Sequence, residues 1–234
     1  MAGRQVAPKR RSYNGRMPAA KKSVPTVLLT GFAPFEGDTI NPSWQAVRAL
    51  RNRRIAGHRI VARELPTEFG ASLKALRTAI RESKPRLVLC VGLAAGSERI
   101  SLERIAINVD DARIPDNAGA QPVDVAVVED GPAAYFATLP IKAMLVALRE
   151  TGIPAEVSQS AGTFVCNHVF YGLMHALRRR PAVRAGFIHV PYPAAETSAG
   201  TVLTLQRMTE ALRIAISTAL TTRHDPRVAA GAEY

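Results

Sequence analysis

The stretch AGTFVCNHVFYG, residues 161–172, places one of the chain's two cysteines two positions before a histidine. A cysteine thiolate attacks carbonyl groups when a nearby base takes its proton, so Cys166 is a candidate nucleophile. His168 is a poor partner for it, because two helical steps rotate a side chain by about 200°. If both residues lie on one helix, the imidazole points away from the thiol.

His189 is the better candidate for the base, because it ends the apolar run GFIHV, which predicts a buried strand. In parallel sheets the functional groups collect at the carboxyl ends of strands, where loops lead into helices. Cys166 is predicted at a helix N-terminus on this same edge, where partial positive charge favours the thiolate. Cys90 lies instead within the apolar run LVLCVG, and we expect it to be a buried structural residue.

A third group usually orients the imidazole of such a pair. The segment SLERIAINVDDARIPDN offers four carboxylates for this role, Glu103, Asp110, Asp111 and Asp116. Glu103 is flanked by apolar residues and is predicted to be partly buried, where a carboxylate needs a partner. The pattern alone does not choose among the four.

The elements that must position these residues alternate between short apolar strands and amphipathic helices. Strands are predicted at 26–32, 59–66, 85–94 and 185–190, with a weaker one at AEVSQS, and helices at 41–51, 68–83, 141–152, 201–220 and after Cys166. Asn41 is the predicted N-cap of the first helix, with Pro42 at its first position. Residues 99–119 alternate in two short pieces, which predicts a hairpin or an exposed ribbon. The order of elements predicts a single α/β domain, a mostly parallel twisted sheet with helices on both faces (an α/β/α sandwich).

The net charge of +12 is unevenly distributed, since residues 1–22 carry seven basic and no acidic side chains. We therefore expect a basic, disordered N-terminal arm at 1–25, a folded domain at 26–223 and a C-terminal tail at 224–234. A basic arm is one route to nucleic-acid binding, but we expect a solvated tail without a nucleic-acid partner.

Composition also restricts location and cofactors. No apolar run approaches the roughly 18 residues of a membrane span, so we expect no membrane association. Two cysteines far apart in sequence are typical of free thiols in a reducing compartment, and we expect a cytoplasmic protein. No cysteine–histidine spacing resembles a zinc site, so neither a metal nor an organic cofactor is expected.

Taken together, the segments resemble the bacterial pyrrolidone-carboxylate peptidases, also called pyroglutamyl peptidase I. The matching stretches follow the family's order between Val27 and Ala219. They are LLTGFAPFEG with NPSW, ELPTEF, VLCVGLAAG, LERIAINVDDARIPDNAGAQPV, GPAAYFATLPIK, AGTFVCNHVFYGLMH and GFIHVPY.

The resemblance implies a cysteine peptidase that removes an N-terminal pyroglutamyl residue, a neutral five-membered lactam, from peptides through a thioester. It assigns the nucleophile to Cys166 in TFVCNH, the base to His189 in GFIHVPY and the orienting carboxylate to Glu103 in LERIAIN. Arg113 in ARIPDN matches an arginine beside the family's catalytic site. Matched pocket positions are Phe32, Phe35, Asn41, Thr67, Ile114, Phe164 and Val165. The resemblance also implies a homodimer or homotetramer.

Two positions depart from the family's common pattern. Leu93-Ala94-Ala95-Gly96 stands where many members have Gln-Ala-Gly-Gly, and Glu36 replaces a glycine. A side-chain contact from position 93 to the substrate is lost in this chain, whereas a backbone contact is not. The alternatives are a catalytically impaired homologue, a nucleic-acid-binding protein that uses the arm, and a nucleoside phosphorylase-like protein, which would leave Cys166 without a role.

Overall fold

The computed structural model describes residues 3, 24–194 and 203–231. Apart from Gly3, Val24 and Pro25, the predicted N-terminal arm lies outside the described residues, as do positions 201 and 202 of the last predicted helix. The predicted limits of arm, domain and tail stay predictions.

The described residues form nine strands and five helices. The strands are β1 (Thr26–Phe32), β2 (Arg54–Ile55), β3 (His58–Leu65), β4 (Leu87–Leu93), β5 (Ile100–Glu103), β6 (Ile105–Ile107), β7 (Ala134–Phe136), β8 (Ala155–Ser158) and β9 (Arg184–Val190). The helices are α1 (Pro42–Ala49), α2 (Ala71–Ser83), α3 (Ile141–Glu150), α4 (Val165–Leu177) and α5 (Leu205–Thr221).

Seven strands build the main sheet in the order β2-β3-β1-β4-β9-β5-β8. The pairs β3–β1, β1–β4, β4–β9 and β5–β8 are parallel, whereas β2–β3 and β5–β9 are antiparallel. The mostly parallel sheet predicted from the sequence is therefore confirmed. Its central strands are buried on both faces, which explains why β1 and β4 are almost continuously apolar.

Helices cover both faces of this sheet. Successive strand residues point to opposite faces, so each central strand contributes to two apolar clusters. Val27 and Leu29 of β1 belong to the apolar cluster that includes α1, α3 and α5, and Leu28 belongs to the cluster that includes α2 and α4. The predicted α/β/α sandwich is confirmed.

The predicted N-cap and first-turn proline of α1 are both found in the structure. Asn41 is the N-cap of α1, and its side-chain oxygen accepts the Ser43 N–H at 3.0 Å. Pro42 opens the helix, as its fixed φ allows.

The prediction of a hairpin or exposed ribbon at 99–119 is wrong. The first piece, β5, is a buried strand of the main sheet between β9 and β8, and the second, β6, pairs with β7 in a separate two-stranded sheet. A short alternating run does not show which strand it pairs with. The partner of β6, the strand β7, has only three residues, too few to be recognised from a sequence pattern.

The C-terminal segment packs on the start of α3. This helix has Pro140 at its N-cap and no capping side chain of its own. The carboxylate of Asp225 accepts the N–H groups of Lys142 at 3.1 Å and Ala143 at 2.8 Å. A side chain 83 positions away therefore caps the helix.

Candidate active site

Cys166 is the second residue of α4, and its side chain is partly buried. Phe164 is the N-cap and makes no side-chain capping bond, so the first N–H groups of the helix have no side-chain cap. The positive end of the helix dipole at this point favours a thiolate and any developing anion.

The sulfur of Cys166 lies against the end of β4. An ideal Cβ built on Gly92 would lie 2.7 Å from Sγ and 2.8 Å from the ring of Phe187. Gly92 is also the register partner of His189 in the parallel β4–β9 pair. Only glycine leaves room for the sulfur beside the histidine, and sequence reasoning missed this residue.

His189 and Glu103 form a buried pair on the strands next to the cysteine. The imidazole Nδ1 lies 2.7 Å from Oε1 of Glu103, and the two residues are 7% and 1% exposed. A carboxylate accepts, so Nδ1 carries the proton and Nε2 is left for the thiol. Of the four candidate carboxylates, Glu103 is the one that contacts His189.

The surroundings of His189 change its acidity. Burial lowers the pKa of the imidazole, but the neighbouring Cys166 and Glu103 side chains outweigh burial and raise this pKa to about 10. The carboxylate of Glu103, on Nδ1 of the ring, favours the imidazolium form of His189.

Cys90 has the opposite character. It is fully buried in β4, and burial raises the pKa of its thiol to about 12. A thiol of this kind is inert at neutral pH.

A cavity of about 340 Å³ opens beside Cys166. Its walls are mainly apolar and aromatic. All eight residues predicted to bind or support the substrate line this cavity with Cys166, namely Phe32, Phe35, Asn41, Thr67, Arg113, Ile114, Phe164 and Val165. The size and composition suit one small neutral ring.

Aromatic rings fix one wall of the cavity. The ring centroid of Phe164 lies 5.2 Å from that of Phe35 and 5.3 Å from that of Phe69, the latter edge-on. Phe32 is 2% exposed and packs against Phe187, so it also serves the core. These contacts stabilise the wall geometry before any ligand arrives.

Asn41 and Thr67 use polar atoms inside the protein. The Asn41 amide donates to the Ala33 carbonyl at 3.1 Å, and its oxygen accepts the N–H and hydroxyl of Ser43. The Thr67 hydroxyl donates to the same Ala33 carbonyl at 2.9 Å. Both side chains therefore hold the turn after β1 in place.

The mouth of the cavity is charged. Arg113 is exposed there, with Glu36, Asp38 and Asp111 in the same lining. The hydroxyl of Tyr192 donates to Asp38 at 2.6 Å, and this hydrogen bond raises the pKa of the phenol. Sequence reasoning missed the Tyr192–Asp38 bond, which joins segments 154 positions apart.

A larger depression of about 1000 Å³ lies at the opposite edge of the sheet, near the amino ends of the strands. Its lining includes exposed cations, Arg59, Arg77, Arg81, Lys84, Arg86 and Arg180, but neither cysteine and no histidine. It offers no nucleophile and lies apart from the Cys166 site.

Within the described part of the chain, no three His, Cys, Asp or Glu side chains are grouped so that they could hold a metal ion. In the same residues, no helix combines the length and apolarity needed to cross a membrane.

A cysteine at a helix start, beside a buried histidine–carboxylate pair, is an arrangement typical of cysteine hydrolases. Within this class, the chain belongs to the pyroglutamyl peptidase family, whose sequence profile matches residues 25–222. The predicted family is therefore confirmed.

Relatives resemble the chain over nearly their whole length. The pyrrolidone-carboxylate peptidases of Cupriavidus taiwanensis and Klebsiella pneumoniae are 59% and 54% identical to it, and each match covers 89% of this chain and 99% of the relative.

Solved structures are also similar. A crystal structure of pyroglutamyl peptidase I from Bacillus amyloliquefaciens is 48% identical with a TM-score of 0.80, and the match covers 85% of this chain and 98% of that one. Pyrrolidone carboxyl peptidase from Thermococcus litoralis is 37% identical with a TM-score of 0.82, covering 88% and 99%.

Proposed function

We propose that this chain is a cysteine peptidase that hydrolytically removes an N-terminal pyroglutamyl residue from peptides. The observation that carries the proposal is the placement of Cys166, between a buried His189–Glu103 pair and a cavity sized for one neutral ring. Membership of the pyroglutamyl peptidase family supports the same reaction. Cys166 is the nucleophile, His189 the general base and acid, and Glu103 the orienting carboxylate.

In the first half of the reaction, the Cys166 thiolate attacks the carbonyl carbon of the pyroglutamyl residue. The developing oxyanion is stabilised by N–H groups at the start of α4, with Arg113 as a second source of positive charge. The tetrahedral intermediate collapses, the C–N bond breaks, and His189 gives its proton to the leaving amine. The shortened peptide leaves, and a thioester remains on the sulfur.

In the second half, neutral His189 takes a proton from water, which attacks the thioester carbonyl. Pyroglutamate leaves and Cys166 is restored as the thiolate, with the proton on His189. Glu103 keeps Nε2 directed at the sulfur and stabilises the imidazolium at both stages. These steps require no cofactor.

The pocket recognises a ring without charge. Phe35, Ile114, Phe164 and Val165 supply apolar walls, and backbone groups supply the polar contacts to the lactam amide. Leu93 also lines the cavity, where many members of the family have glutamine. Loss of that side-chain contact affects substrate affinity rather than the reaction type.

We also propose a homodimer or homotetramer located in the cytoplasm. The apolar side chains of Val123, Val125 and Phe136 are 67%, 51% and 66% exposed, and this exposure supports contact with a second copy. Two free thiols suit a reducing compartment. Sedimentation analysis and cell fractionation test these two points.

The reaction is tested by mixing the reduced enzyme with a pyroglutamyl amide, quenching in acid and mapping the modified peptide by mass spectrometry. We expect one pyroglutamyl group on the peptide that contains Cys166 and none on the peptide that contains Cys90. A prolyl amide, which lacks the lactam carbonyl and carries a charge, should give neither turnover nor acylation. Acylation at another residue would contradict the proposal.

A further inference from the structure

The described residues contain a second buried histidine–carboxylate pair, close to the cavity but separate from the proposed triad. Nδ1 of His168 lies 2.7 Å from Oδ2 of Asp110, and the N–H of Gly70 donates to Nε2 at 3.0 Å. His168 is 6% exposed and Asp110 is 5% exposed. The pair accounts for the histidine of the CNH motif, which the proposed reaction does not use.

The hydrogen bonds assign the tautomer of His168. A backbone N–H can only donate, so Nε2 is the acceptor, and the proton lies on Nδ1, which donates to the carboxylate. Both ring nitrogens are therefore engaged, and neither is free to accept a proton from a substrate or from Cys166. His168 is not a second general base.

Asp110 is held in place by more than this contact. Its backbone pairs with Val125 through two hydrogen bonds of 2.7 and 3.0 Å. Its other carboxylate oxygen, Oδ1, is buried with no hydrogen-bond partner among the described residues. Burying a carboxyl group in this way is costly, so the bond to His168 is the main compensation for its burial.

Three segments of the cavity meet at this pair. His168 follows Cys166 by two residues on α4, and the intervening Asn167 bonds to the backbone of Ile107 and Val109. Asp111, next to Asp110, lines the cavity and exchanges hydrogen bonds of 2.9 and 2.7 Å with Thr163.

The third segment is residues 67–70, which lead into α2. Gly70 is the N-cap of α2, has a φ of +70° and provides no capping side chain. Phe69, beside it, packs edge-on against the His168 ring at 5.3 Å and edge-on against Phe164, also at 5.3 Å. Thr67 lines the cavity itself. The Gly70–His168 bond thus ties this loop to the helix that carries Cys166.

We propose that His168, oriented by Asp110, is a positioning residue that holds the 67–70 loop and the Phe69–Phe164 ring pair as a preformed wall of the lactam pocket. It sets affinity for the pyroglutamyl ring and leaves the chemical step unchanged. The inference rests on the proposed function, because it concerns the pocket of that reaction. Each hydrogen bond has its own role. The bond from Gly70 to His168 holds the 67–70 loop in place, and the bond from His168 to Asp110 fixes the orientation of the imidazole.

Two amide variants separate these bonds. In His168→Gln the side-chain oxygen reaches the position of Nε2 and can accept from Gly70, while in His168→Asn the amide nitrogen takes the position of Nδ1 and can donate to Asp110. We expect His168→Asn and His168→Ala to raise KM about fivefold to tenfold, with kcat within about threefold of wild type. His168→Gln should keep KM closer to the wild-type value.

Two further readouts report on the pocket directly. The inhibition constant of 2-pyrrolidone, the lactam ring alone, should rise in parallel with KM. Hydrogen exchange of the peptide that contains Gly70 should be faster in His168→Asn and His168→Ala than in His168→Gln. His175→Asn on the same helix is the matched control, because His175 contacts Tyr135 and does not line the cavity.

The outcomes separate the two claims. If wild type turns over a pyroglutamyl amide but the Asn and Gln variants have equal KM, or all variants lose kcat at unchanged KM, the positioning role is overturned and the reaction stands. If wild type gives no turnover, the proposed function fails and the positioning role fails with it. If His168→Ala does not fold, the comparison of Asn with Gln still decides.

Discussion

No side chain larger than hydrogen fits between Gly92 and the sulfur of Cys166, because an ideal Cβ at position 92 would lie 2.7 Å from Sγ. Atoms in favourable contact are about 3.5–4.0 Å apart. Gly92 is paired in register with His189, so the same position that admits the sulfur also places it beside the imidazole. The proposed nucleophile and its proposed base can therefore be neighbours because position 92 has no side chain.

Gly92→Ala is therefore expected to displace the sulfur and to lower kcat/KM by about tenfold to a hundredfold, because small misplacements of reacting groups are costly. Gly96→Ala is the matched control, since a Cβ there would meet nothing within 4 Å. Steady-state kinetics of both variants check the prediction. Equal activity of the two, in folded protein, would show that the sulfur tolerates the added methyl group.

The His189 pKa of about 10 predicts an alkaline limit to activity. Below this pKa the imidazole carries the proton that the leaving amine needs, and the proton is lost as the pH rises through it. Glu103→Gln removes a negative charge that raises the pKa, although its amide oxygen can still accept from Nδ1, so the alkaline limb of kcat/KM should move to lower pH. We expect kcat to fall by about 10² to 10⁴.

The measurement is a pair of pH–rate profiles, for wild type and for Glu103→Gln. Glu156→Gln on β8 is the control, because this carboxylate pairs with Arg99 at 3.6 Å and accepts from the Ser101 hydroxyl at 3.2 Å rather than from His189. An alkaline limb at the same pH in wild type and Glu103→Gln would argue against the orienting role of Glu103.

Arg113→Ala tests the charge at the mouth of the cavity. If the guanidinium stabilises the oxyanion, its loss should lower kcat about tenfold to a hundredfold with a small change in KM. Arg99→Ala, a change of another exposed arginine away from the cavity lining, should leave both constants unchanged. An effect confined to KM would assign Arg113 to substrate binding instead.

Asp225→Ala removes the carboxylate that caps α3 from the C-terminal segment. We expect the free energy of unfolding to fall by about 1 kcal/mol, the usual value of a helix cap, with kcat/KM unchanged. Asp225→Asn retains one acceptor oxygen and should lose less. Chemical denaturation of the three proteins measures this, and equal stabilities would mean that the cap is supplied by water.

Patterns local in sequence predict a mostly parallel sheet and the start of α1, and both predictions are confirmed. Helix α2 is predicted from residue 68 but begins at Ala71. Asn41 and Pro42 mark α1 because a cap acts on the next few residues only. Residues 99–119 were harder to predict, because β5 pairs with β8 and β9, which are distant in sequence. A short alternating run does not show which strands it will pair with.

The site divides in the same way. The positions of Cys166 and His189 at element ends predict that both lie on one sheet edge, but the choice of Glu103 among four carboxylates rests on the family resemblance. Gly92 and the Asp110–His168 pair were missed, because their importance arises from contacts between elements distant in sequence. The assigned roles of the site residues stay predictions.

The central claim is tested most directly by fluorophore release from a pyroglutamyl amide under reducing conditions, measured for wild type, Cys166→Ala and Cys90→Ala. We expect turnover by wild type and Cys90→Ala, and a loss of more than about a thousandfold in Cys166→Ala. Turnover that survives in folded Cys166→Ala, or a folded wild type that releases no fluorophore, would contradict the account.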